Sequence, residues 1–255
     1  MGSKVSGQLL YSDDNHKFIL LGADEEENEK VIQTNQYLII RNGKGILLDP
    51  GGVHLFAKVI SAVSKYISLE NIQYIFFSHQ DPDVSSGIAL WMGVTPAKIL
   101  ISGLWSRFLP HFGIVDQSRI ISIESKGGRL DFSGSEGNMI FIPSHFLHST
   151  GCYSLYDTQA KILFSGDIGA AVFENEQYVF VDDFEQHKKL IDGFHKRYMN
   201  SNAVLKKWVQ MVKRNRINYI APQHGAVYRG ASVDKFLDYL YNLQCGTDFI
   251  DELYK

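Results

Sequence analysis

The stretch FFSHQDPDVSSG, residues 76–87, places three side chains that can bind a metal directly after an apolar run. His79, Asp81 and Asp83 occupy alternate positions within it. Neighbouring carboxylates repel each other at neutral pH unless a cation or a basic side chain compensates their charge. No Lys or Arg occurs between residues 67 and 97. A bound metal ion therefore explains this cluster better than an ordinary loop does.

Three further stretches repeat this arrangement, in which a metal-binding side chain follows an apolar strand. They are MIFIPSHFLH with His145 and His148, KILFSGD with Asp167, and YIAPQHG with His224. Each of these residues alone fits ordinary loop or turn chemistry. Because ligands of layered α/β proteins gather where the carboxyl ends of strands converge, the four stretches together predict one shared site. The other histidines are interpreted as surface or core residues: His16, His54, His111, His187 and His195.

Strands and helices alternate along the chain in an order that occurs twice. NGKG at residues 42–45 predicts a hairpin connection, and apolar spacing predicts a helix over residues 53–66. A second β-rich block precedes two amphipathic segments at residues 185–200 and 202–215. No Pro-rich, Ser-rich or charged linker separates the two halves. We predict one α/β domain over residues 1–255, with two packed mixed sheets and helices outside them.

Composition excludes several classes of protein. The chain has 255 residues, of which 45% are hydrophobic, which is enough for a substantial core. Its net charge of −3 argues against nucleic acid or an anionic membrane as the main partner. The sequence has neither a secretory leader nor an apolar run of about 18 residues. Cys152 and Cys245 match no metal-binding or paired spacing, which indicates free thiols and a cytoplasmic location.

The four stretches resemble, in order and spacing, the ligand motifs of flavodiiron proteins, a branch of the metallo-β-lactamase superfamily. HQDPDVSSG is similar to their H-x-E-x-D-H-S-G signature, and FLHSTGCYSLYD, ILFSGDIGA and INYIAPQHGAVYRG resemble the following three motifs. The resemblance covers essentially the whole chain and is greatest to the stand-alone oxygen-binding diiron proteins. It implies a metallo-β-lactamase-like αββα sandwich with a two-metal site at its edge.

The resemblance also implies a role for each residue that matches a motif. One metal would be bound by His79, Asp81 and His148, the other by Asp83 and His224, and Asp167 would bridge the two. Three further residues are expected near the ligands: Asp49 in a turn, His145 outside the motif but close to His148, and Tyr198 in the helical segment. Tyr198 is either a hydrogen-bond donor to the site or an ordinary core tyrosine.

This sequence departs from the family at two positions. Asp81 stands where glutamate is usual, and its shorter side chain must approach the metal more closely. Val84 stands where a histidine normally binds the second metal. Because valine has no lone pair, that metal would keep an open coordination position.

The predicted ligand set favours iron over manganese and zinc. Three carboxylates and three imidazoles form an anionic, oxygen-rich environment that stabilises a trivalent ion. A mixed histidine and carboxylate site with open positions is what ferrous iron uses to bind O₂. We therefore expect two iron ions, with O₂ or an oxo, hydroxo or peroxo group between them.

The expected function is O₂ binding in an oxygen sensor or signalling component, with a role resembling chemotaxis sensing. Flavodiiron proteins draw electrons from FMN in an attached flavodoxin-like domain, and we expect neither that domain nor FMN in this chain. The partner would be a signalling protein that detects the O₂-bound state. One alternative is an O₂ or NO reductase supplied by a separate flavoprotein or rubredoxin, and another is a binuclear zinc hydrolase. The resemblance is also compatible with a homodimer.

Overall fold

Two seven-stranded mixed sheets face each other in the computed structural model, which describes residues 6–22, 33–173 and 177–255. The first sheet contains β1 (Ser6–Ser12), β2 (His16–Gly22), β3 (Gln36–Arg41), β4 (Lys44–Leu48), β5 (Ile72–Phe76), β6 (Lys98–Ser102) and β7 (Ile120–Ile123). The second contains β8 (Gly128–Phe132), β9 (Ser135–Pro143), β10 (Tyr153–Asp157), β11 (Ile162–Gly166), β12 (Phe180–Val181), β13 (Tyr219–Pro222) and β14 (Val227–Arg229).

The first sheet follows the order of the chain. Strands β1 to β4 are antiparallel, whereas β4 to β7 are parallel and connected by helical segments. Asn42 and Gly43 form the turn between β3 and β4, with φ angles of 46° and 73°. Both values are typical of a tight hairpin turn, so the hairpin predicted at residues 42–45 is confirmed.

The second sheet has the order β12-β14-β13-β11-β10-β9-β8. Strands β8 to β11 form an antiparallel meander, and β13 then pairs with β11 in parallel. This parallel pairing brings the carboxyl ends of β11 and β13 to the same edge of the sheet. Strand β9 runs in the same direction as β11, because β10 is antiparallel to both.

Helices cover the outer face of each sheet. The helices of the described residues are α1 (Phe56–Ser64), α2 (Pro82–Ser85), α3 (Ile88–Val94), α4 (Phe184–Tyr198), α5 (Asn202–Val212), α6 (Ala231–Asn242) and α7 (Ile250–Leu253), of which α7 buries no side chain. Helix α1 is preceded by a 3₁₀ turn, Val53–Leu55, so the helix predicted over residues 53–66 begins and ends slightly inside that range. The two predicted amphipathic segments are α4 and α5. Within the described ranges, none of the helices is long and apolar enough to span a bilayer.

Three apolar clusters separate four layers. One cluster lies between the sheets and includes Phe76 and Phe164, which pack edge to face. A second joins the first sheet to α1 and α3, with Trp91 wholly buried in it. The third joins the second sheet to α4, α5 and α6, with Trp208 at its centre. The predicted αββα sandwich of two packed mixed sheets is therefore confirmed.

Candidate metal centre

The Asp167 carboxylate lies at the centre of the site, in the turn that follows β11. One of its oxygens, Oδ2, is 2.9 Å from Nε2 of His148 and 3.7 Å from Nε2 of His79. The other oxygen, Oδ1, is 3.5 Å from Nε2 of His224. The side chain is only 8% exposed. One oxygen of this buried carboxylate therefore faces the imidazole pair of His79 and His148, and the other faces the single imidazole of His224.

Asp81 lies beside His79 and His148, and these three residues form the first group of ligand candidates. The Oδ2 atom of Asp81 lies 3.5 Å from Nε2 of His148 and 3.8 Å from Nε2 of His79. Donor atoms of these three residues all lie within 4.8 Å of one another. Atoms bound at about 2.1 Å to one ion are roughly 3–3.5 Å apart, so a small contraction would allow all three to share a metal.

The second group combines His224 with Asp83. The Oδ2 atom of Asp83 is 3.3 Å from Nε2 of His224. The Gln223 side chain donates a hydrogen bond of 3.4 Å to the same carboxylate oxygen. The Asp83 carboxylate is thus held beside His224 by the residue that precedes this histidine in the chain.

The local backbone separates Asp81 from Asp83. Pro82 occupies the first position of α2, where its missing N–H costs nothing, and Asp81 is the extended residue before it. The Asp81 carbonyl accepts the backbone N–H of Val84 and the Ser85 hydroxyl, which fixes the start of this short helix. Asp81 therefore lies outside the helix, and Asp83 lies within its first turn. One short stretch thus supplies one carboxylate to each of the two groups of ligand candidates.

Outer hydrogen bonds orient two of the imidazoles. Nδ1 of His79 is 2.9 Å from Oγ of Ser78, and this hydroxyl contacts Asp49. Nδ1 of His224 donates to the carbonyl of Gln33 at 2.8 Å. Each bond fixes its ring so that Nε2 faces Asp167. Partners of this kind set the orientation and tautomer of metal-bound histidines.

Two buried atoms of the ligand candidates lack a hydrogen-bond partner within the described residues. They are Nε2 of His79 and Oδ1 of Asp167, and both face the space between the imidazoles. Buried polar atoms are nearly always satisfied, so such orphans require an unseen partner. A cation is the partner that suits an imidazole lone pair and a carboxylate oxygen equally. The residues present therefore fit a metal centre.

The charges of the site also fit a cation. Burial opposes ionisation of Asp167, but the neighbouring His79, His148 and His224 outweigh this effect and hold the pKa of its carboxyl well below the usual range. Burial likewise opposes charge on His224, yet the nearby carboxylates of Asp167 and Asp83 raise its pKa to about 10. In the metal-free protein a proton therefore occupies the position that a metal ion would take.

The structure shows where the three expected neighbours lie. His145 donates from Nε2 to the Ser125 carbonyl at 2.6 Å and accepts the Gly151 N–H at Nδ1, so both ring nitrogens are engaged. Tyr198 lies edge-on to His148, with ring centroids 6.1 Å apart, and is 57% exposed. It is therefore not a core tyrosine. Asp49 is completely buried and accepts the Ser78 N–H at 2.7 Å, and its role as an outer partner of the ligands stays a prediction.

Val84 is fully buried and belongs to the apolar cluster between the first sheet and its helices. Its side chain lies beside the Asp83 backbone in α2. The open coordination position attributed to Val84 stays a prediction.

Sequence reasoning missed several residues that support the ligands. Ser78 and Gln223 each directly precede a ligand candidate, and this position was their only signal in the sequence. Gln80 donates to Oδ1 of Asp81 at 3.0 Å and accepts the Ser149 hydroxyl at 2.9 Å. Phe194 stacks on Tyr198 with ring centroids 4.8 Å apart, and the helical spacing of four residues could have indicated this pair.

The two mixed sheets and the ligand stretches at one edge define a protein with the metallo-β-lactamase-like fold. Residues 32–225 match the family model described as ODP family beta lactamase, and the chain belongs to that family.

Solved structures support this assignment. A structure described as a peroxy diiron species of the chemotaxis sensor ODP is 54% identical, with a TM-score of 0.87, and covers 98% of this chain and 100% of its own. The apo state of the chemotaxis sensor ODP from T. denticola is 53% identical, with a TM-score of 0.86, over 98% of this chain and 99% of its own. A variant of the flavo di-iron protein from Thermotoga maritima is 17% identical, with a TM-score of 0.77, over 94% of this chain and 61% of its own, and supports the fold alone.

Curated relatives are more distant. An uncharacterised protein of Methanocaldococcus jannaschii is 24% identical over 198 residues, which is 76% of this chain and 49% of the relative. An anaerobic nitric oxide reductase flavorubredoxin of Aeromonas hydrophila is 24% identical over 231 residues, which is 85% of this chain and 44% of the relative. The chain thus spans about half the length of the curated relatives it matches.

Proposed function

We propose that this protein is a non-haem diiron protein that binds O₂ and acts as an oxygen sensor or signalling component. The observation that carries the proposal is that one oxygen of the Asp167 carboxylate faces His79 and His148, whereas the other faces His224. The solved relative with 54% identity, described as a peroxy diiron species of a chemotaxis sensor, supports the same function. A role in chemotaxis-like signalling follows from that relative.

The proposed ligands follow the two groups. His79, Asp81 and His148 would hold one iron, Asp83 and His224 the other, and Asp167 both. When bound, the iron pair would supply the electrons and the open coordination that O₂ capture requires. The three carboxylates balance most of the positive charge of two divalent ions.

The surrounding side chains control access to the site. Phe194 and Tyr198 stack on each other, and both rings lie edge-on to His148, with centroids 6.3 and 6.1 Å away. This aromatic pair packs against the His148 ring. The Asp81 and Asp83 side chains are about one-third exposed, at 35% and 32%, so a small diatomic molecule can enter on their side.

Metal analysis and O₂ exposure together test this function. Protein expressed with iron supplementation should contain two irons per chain. After anaerobic reduction, O₂ should produce a visible absorption band that persists for minutes or longer. Immediate oxidation to a product without such a band would overturn the proposal. Two zinc ions and no iron would instead favour a binuclear hydrolase.

A second candidate is an O₂ or NO reductase. It is favoured by the similarity to the nitric oxide reductase flavorubredoxin and by the partial exposure of Asp81 and Asp83, which an electron-donor protein could approach. Steady consumption of O₂ or NO with a soluble flavoprotein or rubredoxin would identify this activity.

The remaining features of the proposal concern partners and location. We infer that residues 1–255 form one diiron domain, and that an electron-donor protein would supply any electrons for turnover. A homodimer and a cytoplasmic location are also part of the proposal. The location is supported by Cys152 and Cys245, which are both buried and free.

A further inference from the structure

Helix α4 carries two histidines, His187 and His195, that are completely buried and are not among the proposed ligands. Burial, with a smaller effect of His195 on His187, lowers the pKa of each imidazole to about 4, so both rings are neutral near pH 7. A neutral imidazole has one donor and one acceptor nitrogen. Both nitrogens of each ring are engaged in specific hydrogen bonds.

The two histidines converge on Gly169, which lies two residues after Asp167. The N–H of Gly169 donates to Nε2 of His195 at 2.9 Å. The carbonyl of Gly169 accepts the hydroxyl of Tyr228 at 3.2 Å, and this hydroxyl also lies 3.2 Å from Nε2 of His187. Both polar atoms of Gly169 are therefore held by side chains, one directly from α4 and the other through Tyr228.

Gly169 is required at this position. Its φ angle is +104°, which L side chains rarely adopt, and a Cβ atom would meet the Tyr228 ring at 3.0 Å and Pro222 at 3.3 Å. The Tyr228 ring is fixed in turn by stacking on Phe236, with centroids 4.1 Å apart and planes 17° apart. The Tyr228 ring thus packs closely against both Gly169 and Phe236.

Only one assignment of donors and acceptors satisfies all the hydrogen bonds around Gly169. Nδ1 of His195 donates to the carbonyl of Ile191 at 2.7 Å, which leaves Nε2 as the acceptor for Gly169. The Tyr228 hydroxyl donates to the Gly169 carbonyl, so its oxygen accepts a hydrogen bond from Nε2 of His187. Nδ1 of His187 is then the acceptor for the Tyr178 hydroxyl at 2.7 Å. This connected chain runs from half-exposed Tyr178 to the turn that contains Asp167.

The same helix contacts the first group of ligands. Phe194, which precedes His195, lies edge-on to His148, with ring centroids 6.3 Å apart. Helix α4 therefore touches both the His148 ring and the turn that positions Asp167. Within that turn, the Ala170 N–H donates to the Asp167 carbonyl at 3.0 Å, so Asp167 and Gly169 belong to one closed hydrogen-bonded turn.

We propose that His195 and Tyr228 are positioning residues that couple the Asp167 carboxylate to α4 through the backbone of Gly169. The inference rests on the proposed function, because a bridging carboxylate changes its position when the ions beside it change their oxidation state. The closed turn passes that shift to Gly169, and the hydrogen bonds of Gly169 pass it to α4. A packed helix with two arrangements is a known means of transmitting such a shift. Helix α4 is then the element through which the state of the site reaches the surface.

Hydrogen exchange of the full-length iron protein tests the coupling. Exchange over residues 184–198 is measured after anaerobic reduction and again after O₂ is admitted, while the visible band is recorded in parallel. The wild-type protein should show about a fivefold difference in α4 exchange between the two states, corresponding to the gain or loss of one hydrogen bond. Tyr228→Phe and His195→Phe should bind two irons and form the band but lose most of this difference.

Two further variants separate coupling from general stability. His195→Gln can place its side-chain oxygen where Nε2 accepts the Gly169 N–H, so it should restore the difference that His195→Phe removes. Tyr156→Phe also deletes a tyrosine hydroxyl bonded to a carbonyl, that of Arg216 at 2.7 Å, but this tyrosine does not contact Gly169. It should leave the α4 response unchanged. If His195→Phe fails to fold, Tyr228→Phe still tests the coupling, because it keeps the stack on Phe236.

The outcomes separate this inference from the function on which it rests. A wild-type protein that forms the band without any change in α4 exchange would overturn the coupling and leave O₂ binding intact. Retention of the full α4 response in Tyr228→Phe and His195→Phe would also overturn it. Absence of the band in the wild-type protein would overturn the proposed function, and the coupling with it.

Discussion

Asp49 and His79 are joined through one hydroxyl group, the Oγ of Ser78. This oxygen is 2.5 Å from Oδ2 of Asp49 and 2.9 Å from Nδ1 of His79, and the Ser78 N–H donates to Oδ1 of Asp49 at 2.7 Å. The Ser78 proton points to the carboxylate, so the serine oxygen accepts from Nδ1 of His79. That arrangement leaves the lone pair on Nε2, which faces the proposed metal.

Replacing Ser78 by alanine should weaken metal binding while the fold persists. The variant removes the acceptor for Nδ1 of His79 and leaves the imidazole free to rotate and to change tautomer. Loss of such an outer partner typically costs about 10- to 100-fold in metal affinity. Competition with a chelator of known affinity measures the change.

A serine on the surface provides the control for Ser78→Ala. Ser118 also pairs its hydroxyl and its N–H with an aspartate, Asp116, but at an exposed site away from the ligands. Ser118→Ala should bind metal as the wild-type protein does. If Ser78→Ala also retained wild-type affinity, the Asp49–Ser78–His79 connection would have no part in metal binding.

The two histidines of the stretch at residues 144–149 should behave differently when replaced by alanine. Nε2 of His148 lies 2.9 Å from Asp167 and 3.5 Å from Asp81, so His148→Ala removes one ligand of the first group. His145 uses both nitrogens for backbone hydrogen bonds, so His145→Ala should keep both irons and lose only some stability. Measurement of the iron content by elemental analysis distinguishes the two variants. Two irons in His148→Ala would refute the ligand assignment.

Metal binding should release protons and become tighter as the pH rises. The pKa of His224 is raised to about 10 and that of His148 is also raised, because bonds to Asp167 outweigh the effect of burial on both rings. Near pH 7 a metal must therefore displace a proton from the His224 imidazole, and the raised pKa of His148 acts in the same direction. Each released proton strengthens binding by up to about tenfold per pH unit. Calorimetry in buffers of different ionisation enthalpy counts the protons.

The stability of the metal-free protein should show the opposite dependence on pH. The folded pKa of His224 lies above its unfolded value of about 6.5, so this imidazole stabilises the fold below that pH and loses its effect as the pH rises toward 10. Asp167 has a lowered pKa and contributes stability above about pH 4. Thermal unfolding of metal-free protein should therefore show less stability at pH 9 than at pH 6. If metal-free His224→Ala lost as much stability between pH 6 and pH 9 as the metal-free wild-type protein does, the loss would not come from His224.

The sequence was sufficient to predict the sandwich and the sheet edge that carries the ligand candidates, because both depend on local patterns. Each stretch of ligand candidates comes shortly after an apolar run, and the ligand candidates that follow β5, β9, β11 and β13 lie close together. Two short strands, β12 and β14, were missed because two or three residues carry no periodicity. These strands form by pairing with residues that are distant in the sequence, so a short segment of sequence does not indicate them.

The outer hydrogen bonds could not be predicted for the same reason. His195 meets Gly169 across 26 positions of the chain, and His224 meets Gln33 across 191. A buried histidine on an amphipathic helix has the same sequence signature whether it fills a core or holds a turn. For this reason His187 and His195 were interpreted as surface or core residues, and their specific partners appear only in the folded chain.

Val84→His should add a ligand to the second group and shorten the life of the O₂-dependent band. Valine at this position is wholly buried among apolar side chains, so an imidazole there should destabilise the metal-free protein by about 1–3 kcal/mol. Iron loading should recover part of this loss, because the imidazole lone pair then has a partner. Ile88→His is the matched control, since Ile88 is equally buried in the same cluster, four residues further along the chain at the start of α3. It should destabilise the protein without changing the band. Unchanged band lifetime and O₂ affinity in Val84→His would show that valine does not leave a coordination position open.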